Sequence, residues 1–119
     1  VKQNNNYTIE DSAFENCTNI EKIKLNAGLS SINNEAFKNN ISLKNIEILN
    51  TTSIGVEKLK TIGNSVFSGC EKLQIFEIPA SVTGIEEKAF VNCDKLETVT
   101  FEKGSKLDYI AVDAFAGCK

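Results

Sequence analysis

A chain of 119 residues with a formal net charge of −3 is one domain's worth of protein, and its 41% apolar content is enough for a core. Its 13 basic residues are all lysines, scattered without a run or stripe, which argues against a nucleic-acid surface. No apolar stretch approaches the roughly 20 residues of a membrane span, and the absence of His removes the usual general base, zinc ligand and triad member together.

Read from the N-terminus, the chain repeats itself. An aromatic anchor recurs at Phe14, Phe37, Phe67, Phe90 and Phe115, at intervals of 23, 30, 23 and 25 residues. Five residues before each anchor stands Ile9, Ile32, Ile62, Ile85 or Ile110, and one before it a small residue: Ala13, Ala36, Val66, Ala89 or Ala114. Three after it come Cys17, Asn40, Cys70, Cys93 and Cys118. The array divides into repeats 9–31, 32–61 with a seven-residue insertion, 62–84, 85–109 and a partial copy 110–119. "VKQNNNY" at the start and "AGCK" at the end read as cuts through a longer protein.

Each copy suggests two elements. The tracts "IEKIKL", "LKNIEI", "LQIFEI" and "LETVTF" end in alternation, which predicts short strands. The tract around each anchor, such as "IEEKAFVN", is too short for a full helix and too polar for a buried strand, so one helical or 3-10 turn is expected there. Its end is marked by Asn16, Asn39, Gly69, Asn92 and Gly117, residue types that tolerate the left-handed conformation. Neither element buries its apolar face alone, whereas stacked copies do. The expected fold is therefore an α/β solenoid: a parallel sheet along one face, with short helical turns opposite.

The spacing C-x-x-L-x-x-I-x-[LI]-P-x-x-V-x-x-I-x-x-x-A-F resembles the BspA-like, or Treponema pallidum-type, leucine-rich repeat. Cys70 to Phe90 carries it almost column by column, with Pro79 in place and Phe76 for Ile. The resemblance covers nearly the whole chain and implies a curved right-handed solenoid with its sheet on the concave side. It also implies a secreted or cell-surface protein that binds other proteins, often in adhesion. The departures are Asn40 for Cys, a single Pro, and two longer copies.

The cysteines take their meaning from the column. Asn40 shares it, and Asn is a poor exchange for a disulfide half or a soft-metal ligand but a fair one for a small hydrogen-bonding group. Cys17, Asn40, Cys70, Cys93 and Cys118 thus read as a structural ladder of free thiols and one amide, with a Cys70–Cys93 bridge as the alternative. No metal, cofactor or catalytic nucleophile is expected, because there is neither a C-x-x-C nor a base beside any Cys in sequence. Sequons occur at Asn6, Asn16, Asn40 and Asn50, against about two expected by chance from the composition, and Asn40 lies in the buried column.

The outward strand positions are Lys22, Lys24, Asn45, Glu47, Ile75, Glu77, Thr98 and Thr100, a candidate partner-binding grid on the concave face. The insertion after Ile48 and a shorter extension after Phe101 leave the strands at the same place, so Thr51, Thr52, Ile54 and Val56 form a candidate rim loop. The expected function is non-enzymatic protein recognition, with a repeat stalk that presents other domains as the alternative. End-to-end self-association through uncapped repeats is a further expectation.

Overall fold

The computed structural model describes residues 7–25, 28–48 and 59–118. These fold as a parallel β-solenoid of nine short strands: β1 (Tyr7–Ile9), β2 (Lys22–Leu25), β3 (Leu29–Ile32), β4 (Asn45–Ile48), β5 (Thr61–Ile62), β6 (Ile75–Ile78), β7 (Gly84–Ile85), β8 (Thr98–Phe101) and β9 (Tyr109–Ile110). The even-numbered strands are those the alternating tracts predict. The odd-numbered strands are a second row that ends on the recurrent Ile of each copy. That second row makes the continuous sheet, in the order β1-β3-β5-β7-β9, with Ile9, Ile32, Ile62, Ile85 and Ile110 in register. The predicted row is instead broken into two parallel pairs, β2-β4 and β6-β8.

The expected helical or 3-10 turns are absent, and among the described residues the fold is all-β rather than α/β. The backbone hydrogen bonds give the reason. In the first copy the amides of Ala13, Glu15 and Cys17 close local turns onto Glu10, Ser12 and Phe14. The intervening amides of Ser12, Phe14 and Asn16 point across to the carbonyls of Asn34, Ala36 and Lys38 in the next copy, at 3.0, 2.8 and 2.8 Å. Glu35, Phe37 and Asn39 reach Asn64, Val66 and Ser68 in the same way, and Ser65, Phe67 and Gly69 reach Glu87, Ala89 and Val91. Every second donor is spent between copies, which a helix, with all its donors along its own axis, does not allow.

Two left-handed residues per copy produce this alternation. One set is Asn16, Asn39, Gly69, Asn92 and Gly117, as the residue types indicate. The other lies four residues earlier at Ser12, Glu35, Ser65, Lys88 and Asp113, with φ between 56° and 62°. Non-glycine residues there cost about 1–2 kcal/mol each, which the interlocking turns and the core beneath them must offset.

That core is a column of stacked rings. Phe14, Phe37, Phe67, Phe90 and Phe115 succeed one another with centroids 5.1–5.6 Å apart and planes within 16°. Phe76 of β6 leans in from the other row, 5.4 Å from Phe67 and 5.1 Å from Phe90. Phe37, Phe67, Phe76 and Phe90 are buried, as are Ile32, Ile62 and Ile85, while Phe14 and Ile110 at the two ends are exposed.

Candidate functional site

All eight outward strand residues are exposed: Lys22 and Lys24 on β2, Asn45 and Glu47 on β4, Ile75 and Glu77 on β6, Thr98 and Thr100 on β8. Parallel register sets them side by side, Lys22 against Asn45, Lys24 against Glu47, Ile75 against Thr98 and Glu77 against Thr100. The alternate residues turn inward, as with Phe76 and Ile78 of β6, both buried, except that Phe101 at the end of β8 is 48% exposed. Ile75 is 55% exposed and is the one apolar member of the set. No ladder joins β4 to β6, so the eight form two patches of four rather than one uninterrupted grid.

At that joint lies an open groove of about 560 Å³ lined by Lys44, Asn45, Lys72, Gln74, Lys95 and Glu97. Of these, only Asn45 belongs to the predicted grid. The others precede the strands, and their sequence signal is slight: Lys72 and Lys95 occupy the same place in consecutive copies, immediately before the strand Leu.

The Cys and Asn column is a hydrogen-bonded ladder. The thiols of Cys70, Cys93 and Cys118 donate to the carbonyls of Phe37, Phe67 and Phe90 in the preceding copies, at 3.4, 3.1 and 3.3 Å. Asn40 donates from Nδ2 to Phe14 O at 2.9 Å and to Phe37 O at 2.8 Å, while its Oδ1 is buried without a partner. All four cysteines are free. Cys70 and Cys93 are buried, but Cys17 and Cys118, at the end copies, are only half-buried. Burial pushes the Cys70 thiol up to about 12. Burial raises Cys93 as well, reinforced by the neighbouring Cys70 and Cys118, and burial likewise raises Cys118. A protonated, desolvated thiol is a weak nucleophile, so the ladder offers structure rather than chemistry.

Among the described residues no group of three or more Cys, Asp or Glu is placed to hold a metal ion, and no helix is long and apolar enough to cross a membrane. Asn40 is buried and closed to a glycan. Asn16 is exposed, with its Oδ1 accepting Asn39 Nδ2 at 3.1 Å. Asn6 and Asn50, and the rim-loop residues Thr51, Thr52, Ile54 and Val56, lie outside the described residues.

The sequence profile of the BspA type leucine rich repeat region matches residues 1–119 in six copies. The chain belongs to the BspA-type leucine-rich repeat family. Its repeats form an interaction module of the general leucine-rich kind. Among solved structures, a leucine-rich repeat protein from Bacteroides ovatus is 24% identical over 95% of this chain and 34% of its own, with a TM-score of 0.65. A leucine rich cell surface protein from Faecalibacterium prausnitzii is 32% identical over 80% of this chain and 29% of its own, with a TM-score of 0.49. The BspA-type array thus spans about a third of the length of the solved proteins it resembles. No curated protein matches it.

Proposed function

We propose that this BspA-type segment recognises another protein through the exposed strand residues, as part of a secreted or cell-surface protein engaged in adhesion or partner recognition. One observation carries the reading. All eight outward positions are exposed, while seven of their eight alternates are buried in or packed against the core, Phe101 at the end of β8 being the exception. A stack whose copies are tied by backbone hydrogen bonds supports such a surface because the strands that carry it need little further ordering on contact. The secreted or surface placement follows the family expectation.

Displayed libraries of extracellular proteins, selected against the 119-residue chain, supply the test. Binders are then measured against Lys22→Ala, Lys24→Ala, Ile75→Ala and Glu77→Ala variants that keep the parent's melting temperature. Partners whose affinity is indifferent to all four substitutions contradict the proposal. End-to-end self-association belongs to the same reading. In the 119-residue chain the last described copy exposes Tyr109, Ile110 and Val112, the apolar face such an association would use. Sedimentation over a concentration series reads it directly.

A further inference from the structure

The joint between β4 and β6 has a property that neither neighbouring junction shares. In the second copy the consecutive amides of Lys44 and Asn45 both donate to one oxygen, Glu21 O, at 2.8 and 3.3 Å. In the fourth copy Glu97 and Thr98 both donate to Gln74 O, at 2.9 and 3.3 Å. The equivalent pair in the third copy is Gln74 and Ile75. Their amides meet no acceptor among the described residues, because the carbonyl due to receive them, that of Lys44, stands across the unladdered joint.

Adjacent amides that converge on one point make a receptor for an anionic oxygen. The side chains around this pair suit one. Lys44, Lys72 and Lys95 line the groove with the carboxamides of Asn45 and Gln74, against a single carboxylate, Glu97. Lys44 stands 3.9 Å from Glu21 in a loose, exposed pair, whereas Lys72 and Lys95 have no ion-pair partner among the described residues. The local excess of positive charge contrasts with the chain's net −3.

We propose that this joint binds a side-chain carboxylate of an extended acidic peptide segment in the partner protein. One carboxylate oxygen accepts the Gln74 and Ile75 amides as a backbone carbonyl does in the neighbouring copies. The second oxygen faces the lysines. A planar, singly charged carboxylate reproduces the carbonyl geometry that these amides meet elsewhere, and exposed Ile75 offers the adjoining peptide residue an apolar contact. The proposal rests on the protein-recognition reading and adds to it the charge of the partner.

The test is a titration followed by the amide signals of Gln74 and Ile75 in nitrogen–proton correlation spectra. The probes are capped tetraglutamate, capped tetraglutamine and inorganic phosphate. The expected result is a saturable downfield shift of both signals with tetraglutamate, none with tetraglutamine, and a smaller one with phosphate. Lys72→Gln with Lys95→Gln should weaken tetraglutamate binding about fivefold while leaving signal dispersion intact. Unmoved Gln74 and Ile75 signals overturn the site, as does an equal response to tetraglutamine. Phosphate binding as tight as tetraglutamate's overturns the peptide assignment. None of these results touches the strand-patch reading, which the Lys22, Lys24 and Glu77 variants test separately.

Discussion

The two strand rows behave in opposite ways. The row with the shorter strands, down to two residues in β5, β7 and β9, is continuous over five copies, whereas the row of four-residue strands is broken in the middle. Strand length therefore does not decide continuity. The short row leads directly into the turns, whose alternate amides tie each copy to the next, so Ile32 pairs with Ile62 even though those copies are 30 residues apart. The long row lies on the far side of the column and lacks that tie. The break falls beside the longer copy, where ten residues separate Ile48 from Leu59 against three between Ile78 and Val82. Variation in repeat length is absorbed where the backbone is least constrained, and that is also where the candidate anion site lies.

Removing the ring at the centre of the stack should test the tied side most severely. Phe67 touches Phe37, Phe76 and Phe90 and is completely buried. Phe67→Ala should cost about 3–5 kcal/mol in urea denaturation. Phe115, half-buried with a single ring neighbour at 5.1 Å, should cost clearly less. Equal losses would mean that the stack does not propagate from copy to copy.

Alkali should loosen the same side. An unfolded thiol titrates at about 8.5, whereas burial holds Cys70 protonated up to about 12. The raised folded-state value contributes stability that is fully present below the unfolded value and is lost as pH rises toward the folded one. Between pH 8.5 and 11 the loss from Cys70 is on the order of 3 kcal/mol. The fall should be visible in urea midpoints and should flatten in Cys70→Ala/Cys93→Ala. A double variant with an unchanged slope would remove the thiols as its source.

The continuous row has its own weak point at β7 and β9. Gly84 is buried under the ring of Tyr109, whose hydroxyl is bonded to Glu86, and a Cβ at Gly84 would run into that ring. Gly84→Ala should cost about 1–3 kcal/mol through overpacking and release β9. Hydrogen exchange should accelerate from Tyr109 to Cys118 while Phe67, Gly69 and Cys70, whose amides are bonded within and between the middle copies, stay protected. Unchanged exchange at Ile110 would show that the turn tie alone holds the last copy.

How much of this the sequence discloses depends on the element. Strands β2, β4, β6 and β8 are legible because polar and apolar residues alternate over four positions. The odd-numbered strands are not, since two residues such as Thr61 and Ile62 cannot display a period and only the recurrence of Ile marks them. The Asn and Gly column announces left-handed backbone by residue type. The column of Ser12, Glu35, Ser65, Lys88 and Asp113 does not, because Glu and Lys have no preference for that region; the stacked amides impose it. The outward strand residues follow from alternation alone. The groove depends on a missing ladder between copies, a property of stacking that no single copy encodes.

Asn40 is the rung where the tied side is least satisfied. Its Oδ1 is buried without a partner, while the thiols elsewhere in the column need only one acceptor. Asn40→Cys restores the residue found in the other four copies. Relieving a buried, unpartnered oxygen is worth about 1–3 kcal/mol, partly offset by the loss of the second Nδ2 bond, so a net gain of about 1 kcal/mol is expected in urea denaturation. A loss of stability would show that the two amide bonds outweigh the orphaned oxygen.

The smallest effect on stability should come from the change that bears most directly on the broken row. Deleting Asn50 to Val56 shortens the interval between Phe37 and Phe67 from 30 to 23 residues, matching the first and third intervals. Loop length contributes little to closure entropy, well under about 1 kcal/mol for a change of this size, so the melting temperature should stay near the parent's. The consequence for the sheet is larger. With the second copy cut to standard length, nothing in its spacing distinguishes β4–β6 from β2–β4, and the Gln74 and Ile75 amides should find Lys44 O as their equivalents find Glu21 O and Gln74 O. Slowed exchange of those two amides would report the repaired ladder, and tetraglutamate should then no longer shift them. If the deletion leaves both amides exchanging freely, the break has a cause other than repeat length, and the contrast between the tied and untied rows loses its explanation.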